Sequence, residues 1–245
     1  MDDLSRSFGR KRVSPEDRTR LIRSVFQRVA PRYDLMNDLM SMGVHRYWKW
    51  FMVREARQSG ARNVLDLAGG TGDIAWKLAD PERAVQVCDP SLAMMEVGRR
   101  RGPSGRIGWV AGCGERLPFH DETFDLVTIA FGIRNVTHLE DTLSEIRRVL
   151  RPGGRLLCLE FSRPAPWLAP FYDAWSRLVI PRLGAWISRN PDAYHYLIDS
   201  IRAFPDQETL AGIFRAAGFS DVSYRNLSFG IACVHRGTRP IPNAA

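Results

Sequence analysis

The residues best placed to do chemistry form one run, Val64-Leu65-Asp66-Leu67-Ala68-Gly69-Gly70-Thr71-Gly72-Asp73. An apolar strand passes into a glycine-rich turn and then a helix, and glycines let a backbone turn tightly and approach a ligand closely. In an open α/β sheet, ligands bind beyond the carboxyl ends of the strands. Asp66, Gly70, Thr71 and Gly72 are therefore cofactor-binding candidates. Gly70 to Ala75 also fits the G-x-G-x-x-A fingerprint of dinucleotide-binding turns. Asp89, at the end of the next strand, could hold a ribose in either case. Asp73 bears on the choice. It stands at the helix start where a pyrophosphate would sit, and a carboxylate there repels phosphate, whereas S-adenosylmethionine carries none. Taken alone, the run leaves three readings: a sulfonium cofactor site, a dinucleotide site, or a structural turn.

The elements that must position this turn follow from periodicity. Ser14-Pro15-Glu16-Asp17 reads as a helix start, with a capping serine, a proline at the first helical position and acids at the positive helix end. Helices are expected over Asp17–Val29, Tyr33–Met42 and Val44–Ser59, with residues 1–13 loose. Strands and helices then alternate. Strands are expected at Val64–Ala68, Ala84–Cys88, Ile107–Val110, Phe124–Ala130 and Arg155–Phe161. Helices are expected at Asp73–Ala79, Ser91–Arg100 and His138–Leu150, the last carrying Leu139, Leu143, Ile146 and Leu150 on one face. Arg151-Pro152-Gly153-Gly154 should stop that helix. A tryptophan- and proline-rich insertion, Ser162–Phe204, is followed by a helix at Asp206–Ala217 and strands at Asp221–Leu227 and Ile231–His235. The order predicts a Rossmann-like α/β fold. Its seven-stranded sheet is mostly parallel, with one antiparallel edge strand and helices on both faces. Three regions are expected: a helical lid segment over 1–60, a cofactor-binding domain over 61–237 with the insertion near 162–204, and a tail over 238–245.

The chain has 245 residues, 44% of them hydrophobic and 25% charged, which suits one α/β domain. Its formal net charge is +8, and lysine occurs only at Lys11, Lys49 and Lys77, so the excess is arginine. Such a surface could meet nucleic acid, anionic lipid or an acidic partner. Cys88, Cys113, Cys158 and Cys233 make no CxxC pair and no zinc spacing, so no metal is expected and a reducing cytoplasm is the simplest location. The start lacks the apolar core of a signal peptide. No apolar run is long enough to span a bilayer.

Further segments carry a resemblance. Glu115-Arg116-Leu117-Pro118-Phe119, Phe124-Asp125-Leu126-Val127 and Arg151-Pro152-Gly153-Gly154-Arg155 resemble class I methyltransferases acting on small molecules. More narrowly, the chain resembles the ubiquinone/menaquinone biosynthesis C-methyltransferase (UbiE) family. The likeness includes Gly43-Val44-His45-Arg46 and Phe204-Pro205-Asp206-Gln207, and its most diagnostic segments are Tyr33-Asp34-Leu35-Met36-Asn37-Asp38 and Phe131-Gly132-Ile133-Arg134-Asn135-Val136. The likeness runs over roughly Phe8–Gly237. It implies S-adenosyl-L-methionine as cofactor, with contacts at Thr71, Asp89, Cys113-Gly114 and Ala130. Cys113 departs from the usual Asp or Asn, which can bond the adenine amino group, and Ala130 departs from a common serine. Backbone groups are then left to hold the adenine.

The implied reaction is methylation of a ring carbon of a prenylated quinol, either a polyprenyl-methoxy-benzoquinol or demethylmenaquinol. A phenolic proton with a pKa of about 10 must be removed to enrich the ring, and the methyl must lie in line at near-attack distance. Arg134 is the first candidate to stabilise phenolate, with Asn135 holding the same oxygen or a water. Asp34 or His45 could accept the proton. The structural alternatives are a salt bridge for Arg134, helix capping for Asp34 and packing for His45. Trp167–Ile187 places aromatic and apolar residues at near-helical spacing, suiting a membrane face, a prenyl tail, core packing or a dimer contact. The expected partners are the quinol, the cytoplasmic face of a membrane, and a second copy or a biosynthetic complex. Three other classes compete. A dehydrogenase would need a Tyr-x-x-x-Lys pair, which is absent. A nucleic-acid methyltransferase would need Asn-Pro-Pro-aromatic or Pro-Cys, also absent, so no nucleic acid is expected. A non-catalytic lipid-binding module would bind without turnover.

Overall fold

The computed structural model describes residues 5–9, 11–30, 33–102, 105, 107–178 and 191–242; of 36, 39, 40, 176, 177 and 191–195 it describes the backbone alone. The chain opens with a small hairpin, β1 (Ser7–Phe8) against β2 (Lys11–Arg12). Three helices follow, α1 (Pro15–Val29), α2 (Tyr33–Met40) and α3 (Val44–Gln58). Ser14 caps α1 by accepting the Asp17 N–H at 3.1 Å, with Pro15 in its first turn. Residues 1–13 are expected to be loose, and the described part of that segment pairs instead as this hairpin. It is held from outside, because Arg18 Nε of α1 donates to Ser7 O at 3.0 Å.

The remaining elements alternate: β3 (Asn63–Leu67), α4 (Asp73–Leu78), β4 (Ala84–Asp89), α5 (Leu92–Arg99), β5 (Ile107–Ala111), β6 (Phe124–Ala130), a 3-10 turn at Ile133–Asn135, α6 (Leu139–Val149) and β7 (Leu150–Phe161). Then come α7 (Ala169–Leu178), α8 (Pro191–Ala203), α9 (Gln207–Ala216), β8 (Ser220–Leu227) and β9 (Ala232–Thr238). Seven strands form one sheet in the order β5-β4-β3-β6-β7-β9-β8. β9 runs antiparallel to both neighbours, and the other pairings are parallel.

Successive residues of a strand point to opposite faces, and here both faces are covered. Val64, Val85, Val87, Leu126 and Leu157 pack with α3 and α4 on one side. Leu65, Leu67, Val127, Ile129 and Leu156 pack with α6 and α9 on the other. Helix α6 buries Leu139, Leu143, Ile146 and Val149, so its apolar stripe is one wall of that second core.

Two details refine the expected topology. The antiparallel strand lies one place in from the edge, between β7 and β8. The short link from β8 to β9 permits only an antiparallel hairpin, and β9 fills the gap beside β7. In addition, Arg151–Gly154 ends α6 as expected but belongs to β7. Gly153 takes φ +77°, open to glycine, and its N–H donates to Arg239 O at 2.9 Å while Arg239 N–H returns to Gly154 O at 2.8 Å. The residues between the Phe124–Leu150 and Leu126–Arg155 pairs therefore bulge while staying bonded to the end of β9. The expected amphipathic run Trp167–Ile187 is described only as far as Leu178.

Candidate active site

The carboxyl ends of β3 and β4 bring two buried acids under the glycine turn. Asp66 Oδ1 accepts from Thr128 Oγ1 at 2.9 Å and its Oδ2 from Ala75 N–H at 3.2 Å. Burial pushes its carboxyl up to about 7. Asp89 accepts Gly70 N–H at 2.9 Å on Oδ2 and Ser91 N–H at 2.7 Å on Oδ1. Burial pushes it up to about 6. Asp89 thus holds the turn in place and keeps further lone pairs for a ligand hydroxyl. Gly72 opens α4 with φ +71°, and a Cβ there would lie 2.6 Å from Trp109 Cη2. Both the backbone and the indole exclude a side chain.

Above these acids lies a cavity of about 440 Å³, within the size range of small-molecule sites. Asp66, Gly70, Thr71, Asp89, Cys113, Gly114, Ala130 and Asn135 line it, together with Met94, Ile74 and Phe131. Its outer wall comes from Thr19, Ile22, Arg23 and Phe26 of α1, Tyr33 of α2 and Lys49 of α3. Gly72 shapes the turn from behind and does not line the space.

The donors of the turn decide which ligand fits. Gly70 N–H goes to Asp89, Gly72 N–H to Gly69 O at 2.8 Å and Ala75 N–H to Asp66. Three of the amides that could cradle a pyrophosphate are thus already engaged. Buried carboxylates lining a cavity of mixed polarity suit ribose hydroxyls and a cationic sulfonium instead. The residues present fit S-adenosylmethionine.

The expected catalytic residues divide. Asn135 lines the cavity with its amide fixed, since Oδ1 accepts from Tyr196 OH at 2.8 Å and Nδ2 donates to Phe131 O at 3.3 Å. Arg134 does not line it. Its Nη1 donates to Glu160 Oε1 at 2.8 Å and Phe131 O at 2.6 Å, and its guanidinium lies 5.5 Å from the centre of the Phe161 ring. The ion-pair alternative is the observed geometry. A buried carboxylate at the end of β7 demands a cation, and Arg134 supplies it. Asp34 sits at the rim, ion-paired with Arg101 and 3.5 Å from Thr71 Oγ1. His45 is a layer behind, with Nε2 2.8 Å from Asp38 Oδ1 and Nδ1 buried without a partner. Burial lowers its pKa, against the pull of Asp38.

Two site residues had not been anticipated. Lys49, buried on the inner face of α3, donates to Asp73 Oδ2 at 2.8 Å. Burial alone would raise the Asp73 carboxyl, but Lys49 and Lys77 hold it well below the usual range. Arg18 of α1 is 2% exposed and donates to Arg134 O, Asn135 O, Val136 O and Thr137 Oγ1 at 2.8–3.4 Å. Both left a signal: each is a cation on an otherwise apolar helix stripe, Arg18 with Ile22, Val25 and Val29, Lys49 with Trp48, Met52 and Ala56.

Comparison with known proteins agrees with this geometry. A protein of Rubrivivax gelatinosus named "Ubiquinone/menaquinone biosynthesis C-methyltransferase UbiE" is 56% identical over 96% of this chain and 94% of its own. One of the same name from Paracoccus denitrificans is 51% identical over 94% of this chain and 95% of its own. Among solved structures, a SAM-dependent methyltransferase of Thermotoga maritima, described as a possible histamine N-methyltransferase, superposes with a TM-score of 0.63. It covers 89% of this chain and 99% of its own at 24% identity, a likeness of fold. The sheet is that of a class I S-adenosylmethionine-dependent methyltransferase. The pattern of the ubiE/COQ5 methyltransferase family matches residues 12–239, and the chain belongs to that family.

Proposed function

We propose that this protein transfers the methyl group of S-adenosylmethionine to a ring carbon of a prenylated benzoquinol, naphthoquinol or both, in ubiquinone and menaquinone biosynthesis. The observation that carries this reading is the cavity itself. Asp89 and the glycine turn form one wall, and Asn135, Tyr33 and the apolar residues Ile22 and Phe26 form the other. The cavity thus offers polar groups for a nucleoside together with apolar side chains for a ring and tail. The names of the relatives support the same class of reaction.

The cofactor, when bound, supplies an electrophilic methyl on a positively charged sulfur. The chain does the rest by placement. Asp89 would accept the ribose hydroxyls, and the backbone at Cys113 and Gly114 would hold the adenine, since a thiol is a poor substitute for an amide. Asn135, fixed by Tyr196, orients the quinol oxygen that loses its proton. Arg134 acts as a positioning residue. Paired with Glu160, it holds the turn at 131–137 that carries Asn135. Asp34, at the rim beside Thr71, is the better placed of the two candidate bases, and His45 serves to join α2 to α3 through Asp38. Residues 1–60 act as the lid and 61–237 as the cofactor domain. A prenylated substrate dissolves in the bilayer, so the enzyme works at the cytoplasmic membrane face. No helix among the described residues is long and apolar enough to cross it.

The test is transfer of labelled methyl from S-adenosylmethionine to demethyl benzoquinol and naphthoquinol analogues. Label in a carbon–methyl bond supports the reading, and tight cofactor binding with no transfer to either ring overturns it.

A further inference from the structure

Helix α3 is two-sided. Its inner face buries His45, Trp48, Lys49, Met52, Val53 and Ala56. Its exposed positions are Val44, Arg46, Tyr47, Trp50, Arg54, Arg57 and Gln58. At 100° per residue, Tyr47, Trp50, Arg54 and Arg57 fall within one stripe opposite the buried face.

Tyr47 is 50% and Trp50 52% exposed, and their rings stack at 6.1 Å. Arg54 lies over the Trp50 ring at 5.7 Å. No exposed position of the helix is acidic, and its one acid, Glu55, is half-buried and paired with Arg236. Arg57 is steadied by a 2.5 Å bond to Lys77 O. Rings held at the surface with arginines and no acid between them fit one environment well. The indole and phenol belong at a headgroup boundary, and the guanidinium groups belong against phosphates.

We propose that the outward stripe of α3, centred on Tyr47, Trp50 and Arg54, docks this protein on an anionic lipid surface. The choice of a bilayer over an acidic protein rests on the prenylated-substrate reading above, whereas the demand for a negatively charged partner comes from the stripe alone. α3 also contributes Lys49 to the cavity wall from its inner face. One rigid helix therefore faces lipid on one side and substrate on the other. The competing apolar patch, Trp167 packed edge-on to Phe229, is followed by a helix that carries Phe171 and acidic Asp173, and among the described residues no arginine is seen over its rings.

The experiment is co-sedimentation of the full chain with vesicles. One set is phosphatidylcholine alone, and the other is phosphatidylcholine and phosphatidylglycerol in equal parts. The parent should pellet with the mixed vesicles, release in high salt and ignore the neutral ones. Each basic residue near an anionic surface changes partitioning several-fold, so Arg54→Glu should lower it by about tenfold or more. Trp50→Ala should weaken it several-fold, while Arg54→Lys and Trp167→Ala should pellet like the parent. Circular dichroism and methyl transfer to a short-chain, water-soluble quinol analogue should be unchanged in every variant. Pelleting that is indifferent to Arg54→Glu and Trp50→Ala, or lost in Trp167→Ala, overturns the proposal. So does a parent that ignores anionic vesicles while Arg54→Glu changes its oligomeric state. If the parent pellets through Arg54 and Trp50 yet methylates no quinol, the docking surface stands and the enzymatic reading falls.

Discussion

Arg134 and Glu160 face each other at 2.8 Å with side chains 5% and 1% exposed, an ion pair sealed beneath the turn that bears Asn135. Burial raises the Glu160 carboxyl, and the Arg134 charge opposes that rise. Removing one partner leaves an uncompensated buried charge, which typically costs about 3–5 kcal/mol. Arg134→Ala should therefore lower stability in urea titrations by that order and also lose turnover. Adding Glu160→Gln should restore much of the stability but not the rate, because the 131–137 turn still lacks its brace. Full recovery of turnover in the double variant would show that Arg134 serves stability alone.

Asp89 should govern cofactor affinity. Hydrogen bonds to a charged group contribute roughly 1.5–3 kcal/mol, so Asp89→Ala should weaken S-adenosylmethionine binding about 10- to 100-fold by calorimetry. Asp89→Asn, which keeps the shape, should fall between.

The same carboxyl predicts a pH dependence. Asp89 titrates at about 6 in the folded chain, above an ordinary aspartate. Below that pH it gains a proton and loses acceptor strength, so cofactor affinity should fall as pH drops from 7 to 5. Stability should run the other way. A raised carboxyl binds its proton more readily folded than unfolded, so Asp66 and Asp89 add stability as pH falls from about 7 toward the unfolded value. Melting temperature measured without cofactor should rise over that window in the parent relative to Asp89→Asn.

Arg101 ties α2 to the glycine turn, pairing with Asp34 and donating to Thr71 Oγ1 at 2.9 Å. An exposed contact of this kind contributes roughly 0.5–1.5 kcal/mol. Arg101→Ala should raise the Michaelis constant for the cofactor several-fold and speed proteolysis before residue 44, with little change in melting temperature.

Gly72→Ala should be costly for a position outside the cavity wall. It places a Cβ at positive φ and against Trp109, so a loss of about 1–2 kcal/mol or more is expected from denaturant melts. Shortening the neighbour with Trp109→Leu should relieve the clash in part.

The sheet and the cofactor turn were legible because both rest on local pattern. Val64–Asp73 states strand, turn and helix in consecutive residues, and Leu139, Leu143 and Ile146 announce the buried face of α6 by spacing alone. Arg18, Lys49 and Glu160 were not read as structural because their partners lie far along the chain; Arg18 and Asn135 are 117 residues apart. Charged residues are mostly exposed, so a cation on a helix invites a surface reading until its acceptors are in view. The inner position of β9 was missed for a related reason. A hairpin fixes the direction of its strands and leaves open which of the two finds the gap beside β7.

Arg18 joins α1 to the turn at 131–137. Its guanidinium reaches five oxygen acceptors, at Ser7, Arg134, Asn135, Val136 and Thr137, from a helix that also forms the cavity's outer wall. Anything that lifts α1 to admit a bulky lipid-soluble ring withdraws those contacts at the same stroke, leaving Asn135 without its outer support. If residues 1–60 act as the proposed lid, the donor meets a properly held acceptor only with that lid shut, and an open cleft is a poor catalyst.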